Sequence, residues 1–419
     1  MIVNRATIFF LGLIFLIFTG CKTQKSVGES NDTILESIKR DVETLAADNM
    51  EGRKVGTEGE KKAALYISKR MEELGLIPGG EFDSYYQIFS HRLKANPQSN
   101  KTSRNDKVIR GYNVIGSINN EAQYTAIIGA HFDHLGFGSD ESLTMGESKI
   151  HNGADDNASG VAGMLRIAEE LKNESDKSLN YIFIAFSGKE EGLWGSNYFT
   201  KNPTINKKEI NYMINLDMIG RLNEEKQLTI YGTGTTPLWK RALASETSGA
   251  FNITKEESGL GDSDHTSFYL ENLPVLHFFT GEHEDYHIPS DDAHLINYRG
   301  IVDITDYILD VIEFTKKRGK LQFTKTKDSS SDTPGYEATL GIIPDYLYDG
   351  RGMRIDGIKE RQPASKANLK KGDIVIKMGN LEIFDMISFR NAIDTFEKGQ
   401  IIDLTIIRNG KENTRKLTL

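Results

Sequence analysis

The chain has 419 residues, of which 38% are hydrophobic and 26% charged, and its formal net charge is −9. That length suits two or three domains of about 150 residues each, and the composition is that of a soluble globular protein. No basic cluster accompanies the acidic balance, which argues against a nucleic-acid partner, and a single cysteine, Cys21, excludes an internal disulfide.

The first segment reads as a targeting signal. Arg5 is its only charge, Ala6 to Phe18 is an apolar run too short to span a bilayer comfortably as a permanent helix, and the small pair Thr19-Gly20 leads into Cys21. The pattern resembles a bacterial lipoprotein signal, although Phe18 replaces the usual aliphatic residue. The resemblance implies a signal peptide over residues 1–20, a lipid on Cys21, a polar tether over 21–32, and a place in the bacterial cell envelope as a periplasmic or outer-membrane lipoprotein.

Ile34, Leu35, Ile38, Val42 and Leu45 recur at helical spacing behind Asp32-Thr33, which can cap them. A loop with Glu51-Gly52-Arg53 and Gly56-Thr57-Glu58-Gly59 precedes a second helix from about Glu60 to Leu74, closed by Gly75. Tyr85 to His91 and Tyr112 to Ile118 read as strands. Thr125 to Ala130 is a short apolar, β-branched run, hence a buried strand, and it stops at His131-Phe132-Asp133-His134. The loop beyond leads to Gly153-Ala154-Asp155-Asp156-Asn157-Ala158-Ser159-Gly160. Val161, Met164, Leu165, Ala168 and Leu171 then repeat at helical spacing, so the Asp pair lies at a helix N-terminus. Capping accounts for one of these polar residues, not for the whole set.

Three more buried strands follow. Tyr181 to Phe186 runs into Ser187-Gly188-Lys189-Glu190-Glu191-Gly192, Tyr212 to Leu216 into Asp217-Met218-Ile219-Gly220-Arg221, and Pro274 to Phe279 into the segment holding Asp285-Tyr286-His287. Helices separate these strands and Ile301 to Phe314 closes the unit, so residues 33–318 predict an α/β domain with a mostly parallel sheet flanked by helices. Residues 319–334 are polar and read as a flexible or semi-extended linker, and residues 335–419 as a small β-rich domain with one main helix near Ser388 to Phe396.

The chemistry-bearing residues share a position. His131, Glu190, Glu191, Asp217 and His287 all fall just past the C-terminal ends of predicted strands, the edge where open α/β sheets gather their ligands. Two histidines and several carboxylates without a thiolate suit zinc or a similar divalent ion in a catalytic rather than a structural site. Charge favours two ions: their four positive charges balance Asp156, Glu191, Asp217 and a bridging hydroxide, and Glu190 is left over as a base. The absence of a Gly-x-Ser-x-Gly elbow removes support for a serine hydrolase.

With these motifs, residues 33–318 resemble the zinc metallopeptidase family that includes bacterial leucyl aminopeptidases, glutaminyl cyclases and the transferrin receptor ectodomain. The resemblance implies two zinc ions per chain with Asp156 between them, His131 and Asp217 completing one shell, and Glu191 and His287 the other. It makes Glu190 the general base and Asp133 the residue that orients His131. His134, His151, His277, His283 and His294 rank below these as ligands, and Asp264-His265 has no firm role. The implied activity is removal of N-terminal residues from peptides with a free N-terminus. A one-zinc glutaminyl cyclase and a catalytically inactive peptide-binding lipoprotein are the alternatives.

Residues 335–419 resemble a PDZ domain of the bacterial protease-associated type through Leu340-Gly341-Ile342, Gly357-Ile358, Pro363-Ala364, the run Ala367 to Val375 and Ile406 to Gly410. Asn368 stands where glycine is usual, and asparagine tolerates a left-handed backbone. The implied role is capture of a peptide or protein C-terminus by β-augmentation, with Leu340, Gly341 and Ile342 offering N–H groups to the carboxylate.

Overall fold

A computed structural model describes residues 31–96, 103–138, 142–144, 148–244, 246–327 and 340–419. The predicted signal, tether and Cys21 lie outside the described residues except for the last two tether positions. Among the described residues no helix is long and apolar enough to cross a membrane.

The first domain is a nine-stranded mixed sheet between helices. Its strands are β1 (Ile77–Pro78), β2 (Tyr86–Leu93), β3 (Lys107–Ile118), β4 (Thr125–His131), β5 (Asn180–Phe186), β6 (Ile210–Leu216), β7 (Gln227–Tyr231), β8 (Asn252–Lys255) and β9 (Val275–Phe279). They run in the order β1-β3-β5-β4-β6-β9-β7-β8, with β2 also on β3. The centre, β5-β4-β6-β9, is parallel, while β3 and β7 pair antiparallel to its two flanks. Every residue of β4 and β6 is buried, as parallel strands covered on both faces require.

The helices are α1 (Asn31–Leu45), α2 (Glu58–Glu73), α3 (Gly160–Asn173), α4 (Trp194–Lys201), α5 (Trp239–Ala242), α6 (His265–Tyr269) and α7 (Tyr298–Thr315). The apolar stripe of α1 buries Ile38, Val42 and Leu45, and this helix packs on α3 and α7. Thr57 caps α2 by accepting the N–H of Glu60, and Asn297 caps α7 by accepting that of Gly300. From β4 the chain crosses to β5 on one side and later returns to β6 on the other. The crevice at this reversal opens at the strands' C-terminal ends.

Residues 319–327 run along the first domain. Leu321 is buried and donates its N–H to Asn211 Oδ1 at 2.7 Å, and Thr324 donates to the Thr235 carbonyl at 2.8 Å. Residues 328–339 lie outside the described residues.

The second domain is an antiparallel sheet of β10 (Ile342–Pro344), β11 (Met353–Ile358), β12 (Ile374–Met378), β13 (Leu381–Glu382), β14 (Ile401–Arg408) and β15 (Lys411–Thr418), with α8 (Pro363–Lys366) and α9 (Met386–Ile393). Its own core centres on Ile355, Val375, Leu404, Ile406 and Phe389. Asn368 has φ +55°, the left-handed turn expected of it. This domain is docked on the first: Tyr346 and Leu347 pack with Val55, Phe89 and Trp194. Asn197 Nδ2 donates to Asp356 at 2.6 Å, and Lys201 pairs with Asp345 at 2.8 Å.

Candidate metal centre

The strand ends set the site. His131 is the last residue of β4, Asp217 follows β6 directly, and the loop after β5 carries Lys189 and Glu190. Asn157 ties these ends together. Its Nδ2 donates to the carbonyls of His131 and Leu216, and its Oδ1 accepts from the N–H groups of Gly160 and Met218. Gly153 turns left-handed at φ +57° beside Asp156 and His134, where a Cβ would overlap both. Asp155 is no part of the donor set: it accepts from Gly220 N–H at 2.6 Å and faces His283 at 3.1 Å.

Asp156 is the centre. It is fully buried, and neither carboxylate oxygen takes a hydrogen bond of ordinary geometry. Instead Oδ1 faces His131 Nε2 at 3.2 Å and Oδ2 faces His287 Nε2 at 3.1 Å. Asp217 Oδ1 lies 3.2 Å from the same His131 nitrogen, and Ser263 Oγ holds its other oxygen at 2.6 Å. Glu190 reaches His134 Nδ1 at 3.3 Å and His287 Nε2 at 3.6 Å. Donor atoms of His131, Asp156 and Asp217 lie within 4.8 Å of one another, as do those of His134, Asp156 and Glu190. Buried imidazole nitrogens and carboxylate oxygens turned on one another in this way fit a zinc-like cation.

Glu191, the ligand expected from the sequence, is not in either group. It is a third exposed and pairs with Lys54. Lys189 takes the inward place: its ammonium lies 3.3 Å from Glu190, 3.9 Å from Asp156 and 4.0 Å from Asp217. Asp133, expected to orient His131, stands 3.7 Å from His131 Nδ1 and accepts the backbone N–H groups of Lys189 and Glu190 at 3.1 and 3.3 Å. It therefore sets which side chains of that loop face inward.

Burial alone would push these groups toward neutrality. Mutual attraction wins in each case. Burial would lower the Lys189 pKa, but Asp156, Glu190 and Asp217 hold it well above its usual value. Burial would raise Glu190, yet Lys189, His134 and His287 hold it well below the carboxylate range. His287, depressed by burial, is carried up to about 10 by Asp156 and Glu190.

Four residues outside the expected set shape the centre. Two of them are His134 and Lys189. Asp291 accepts the N–H groups of Asp155 and Asp156, each at 3.0 Å. Arg53, wholly buried, donates to the carbonyls of Phe132, Leu45, Asn152 and Gly153 at 2.6 to 2.9 Å, clamping the loops of His131 and Asp156 together. His134 was signalled by its place three residues after His131. The other three look like surface charges in sequence. In the second domain Leu340 is buried, Gly341 turns left-handed at φ +67°, and Ile342 opens β10, which lies at the edge of its sheet.

Residues 113–312 match peptidase family M28, and residues 321–419 match a PDZ domain. Aminopeptidase YwaD of Bacillus subtilis is 29% identical over 182 residues, which are 40% of this chain and 39% of that protein. The chain spans less than half the length of the first curated relatives it matches. A leucine aminopeptidase precursor from Bacteroides thetaiotaomicron has a similar fold, with a TM-score of 0.52 at 17% identity over 66% of this chain and 96% of that one. Porphyromonas gingivalis glutaminyl cyclase gives 0.51 at 18% identity over 68% and 98%. Residues 113–312 are thus similar to peptidase family M28, and residues 321–419 to a PDZ domain.

Proposed function

We propose that this protein is a zinc-dependent aminopeptidase acting on peptides with a free N-terminus. The observation that carries the reading is Asp156: buried, without a hydrogen-bond donor of ordinary geometry, and shared by two donor groups. That sharing supports two ion positions, one held by His131 and Asp217, the other by Glu190 with His287 or His134. Bound zinc would polarise the scissile carbonyl and lower the pKa of the attacking water. Asp133 holds the Glu190 loop, and Asn157 and Asp291 hold the Asp156 turn.

The base and ligand roles expected of Glu190 and Glu191 meet on one residue. The contacts of Glu190 with His134 and His287 support the ligand role, and the Lys54 pairing of Glu191 supports neither. As a ligand, Glu190 leaves no second carboxylate of its loop to take a proton, and general bases contribute about 10²–10⁴-fold to rate. A peptide-binding protein of low turnover is therefore the second reading, favoured by Lys189 in the inward place. The edge strand β10 supports peptide capture at Leu340, Gly341 and Ile342, and the apolar run before Cys21 supports a lipid anchor in the cell envelope.

The test is zinc content and hydrolysis of a chromogenic aminoacyl substrate. Glu190→Gln is expected to lose both, and Glu191→Gln to keep both. Zinc retained by Glu190→Gln with turnover lost would restore the base role. Zinc-free wild-type protein would end the metallopeptidase reading.

A further inference from the structure

The loop from Ser187 to Gly192 turns two successive side chains into the donor cluster, and they carry opposite charges. Lys189 is almost wholly buried there, and among the described residues its one hydrogen-bond acceptor is Glu190 Oε2. Its other near neighbours are Asp156 Oδ1 and Asp217 Oδ2, oxygens of the two acidic residues of the His131 group. This is a built arrangement. Asp133 accepts the backbone N–H groups of both Lys189 and Glu190, which fixes the two side chains inward and leaves Glu191 to Lys54 at the rim.

Charge then limits what the cluster can hold. Asp156, Glu190 and Asp217 supply three negative charges. One divalent ion and one ammonium cancel them. Two divalent ions with the ammonium leave an excess of two positive charges in a buried site, and a hydroxide removes only one. Uncompensated buried charge is strongly unfavourable. We infer that Lys189 takes the place of a second divalent ion, so that this centre holds a single zinc.

The inference rests on the metal-centre reading and departs from the two-ion expectation only in number. It also follows that neutralising position 189 opens the second position. Arginine keeps the charge there, and methionine keeps much of the volume without it.

The experiment uses the full chain, stripped by chelation, reloaded with zinc and desalted, with zinc per chain read by elemental analysis. Wild type and Lys189→Arg are expected to carry about one zinc, and Lys189→Met about two, a doubling that requires no activity measurement. Two zinc ions on wild type would overturn the inference, as would one on Lys189→Met. Zinc absent from every protein would overturn the metal centre and this inference with it. The wild-type and arginine results decide the matter even where the methionine variant fails to fold.

Discussion

The ring of Tyr346, from the C-terminal domain, lies against Gly192, two residues after Glu190 in the loop that faces the centre. A methyl group at position 192 would overlap that ring, and φ there is +110°, a conformation open to glycine. The two domains therefore meet at the loop that presents the metal donors. Gly192→Ala is expected to cost about 1–3 kcal/mol from backbone strain and the lost contact. It should lower both the melting temperature and the zinc affinity. Unchanged zinc binding would show that the loop holds its shape without Tyr346.

Removal of residues 340–419 would expose Phe89 and Trp194, now 1% and 3% exposed, and break the Lys201 and Asn197 contacts to Asp345 and Asp356. The truncated chain is expected to lose stability and to lose kcat/KM on short and long peptides alike. A selective rise in KM for long peptides would instead mean that the C-terminal domain contributes only by holding the substrate.

Asp291 touches the centre through backbone alone, taking the N–H groups of Asp155 and Asp156. Supporting groups of this kind typically contribute 10–100-fold to metal affinity. Asp291→Ala is expected to weaken zinc binding by roughly that factor, measured by competition with a chromogenic chelator. A change below about threefold would remove Asp291 from the positioning set.

Arg53→Ala removes the guanidinium donor from the carbonyls of Phe132, Leu45, Asn152 and Gly153, the last of which keeps the N–H of Ala158. Unmet buried groups of this kind cost about 1–3 kcal/mol each, with partial relief from water. A loss of about 3–5 kcal/mol is expected in denaturant unfolding, as for other broken buried charge networks.

Glu60 provides a pH signature. It is buried and accepts from Gly56 N–H, Tyr112 N–H and Ser187 Oγ, so it joins α2, β3 and the start of the Glu190 loop. Burial outweighs those three hydrogen bonds and raises its pKa to about 7. A carboxyl whose folded pKa lies above its unfolded value stabilises the fold at low pH and loses that contribution as pH rises toward the folded value. Wild type should therefore lose up to about 3 kcal/mol between pH 4.5 and 7 relative to Glu60→Gln. Parallel melting curves of the two metal-free proteins over that window would rule this out.

The four central strands were legible because parallel strands covered on both faces read as uninterrupted apolar runs, and Thr125, Tyr181, Tyr212 and Val275 each begin or nearly begin one. Strand ends then pointed to His131, Asp217 and His287. The loop after β5 was not legible at the level that matters. Adjacent residues in an irregular turn have no period to say which faces inward. That choice is made by Asp133, 56 residues away, through backbone hydrogen bonds to Lys189 and Glu190. Arg53 and Glu60 were hidden for a related reason: a buried charge and a surface charge look alike until their partners, carbonyls and N–H groups of other segments, are known. Strands β7 and β8 carry little signal because they are only five and four residues long.

The donors around Asp156 sit on separate loops, with His131 and His287 at the two extremes of the sequence they join. An ion held among them closes those loops as a cystine would, in a chain whose one cysteine has no internal partner. Its contribution to stability follows mass action and so depends on free zinc. Thiol reductants should leave this protein untouched. A chelator should act as its reducing agent, speeding amide exchange in residues 153–159, 187–193 and 280–291 while the strands behind them stay protected.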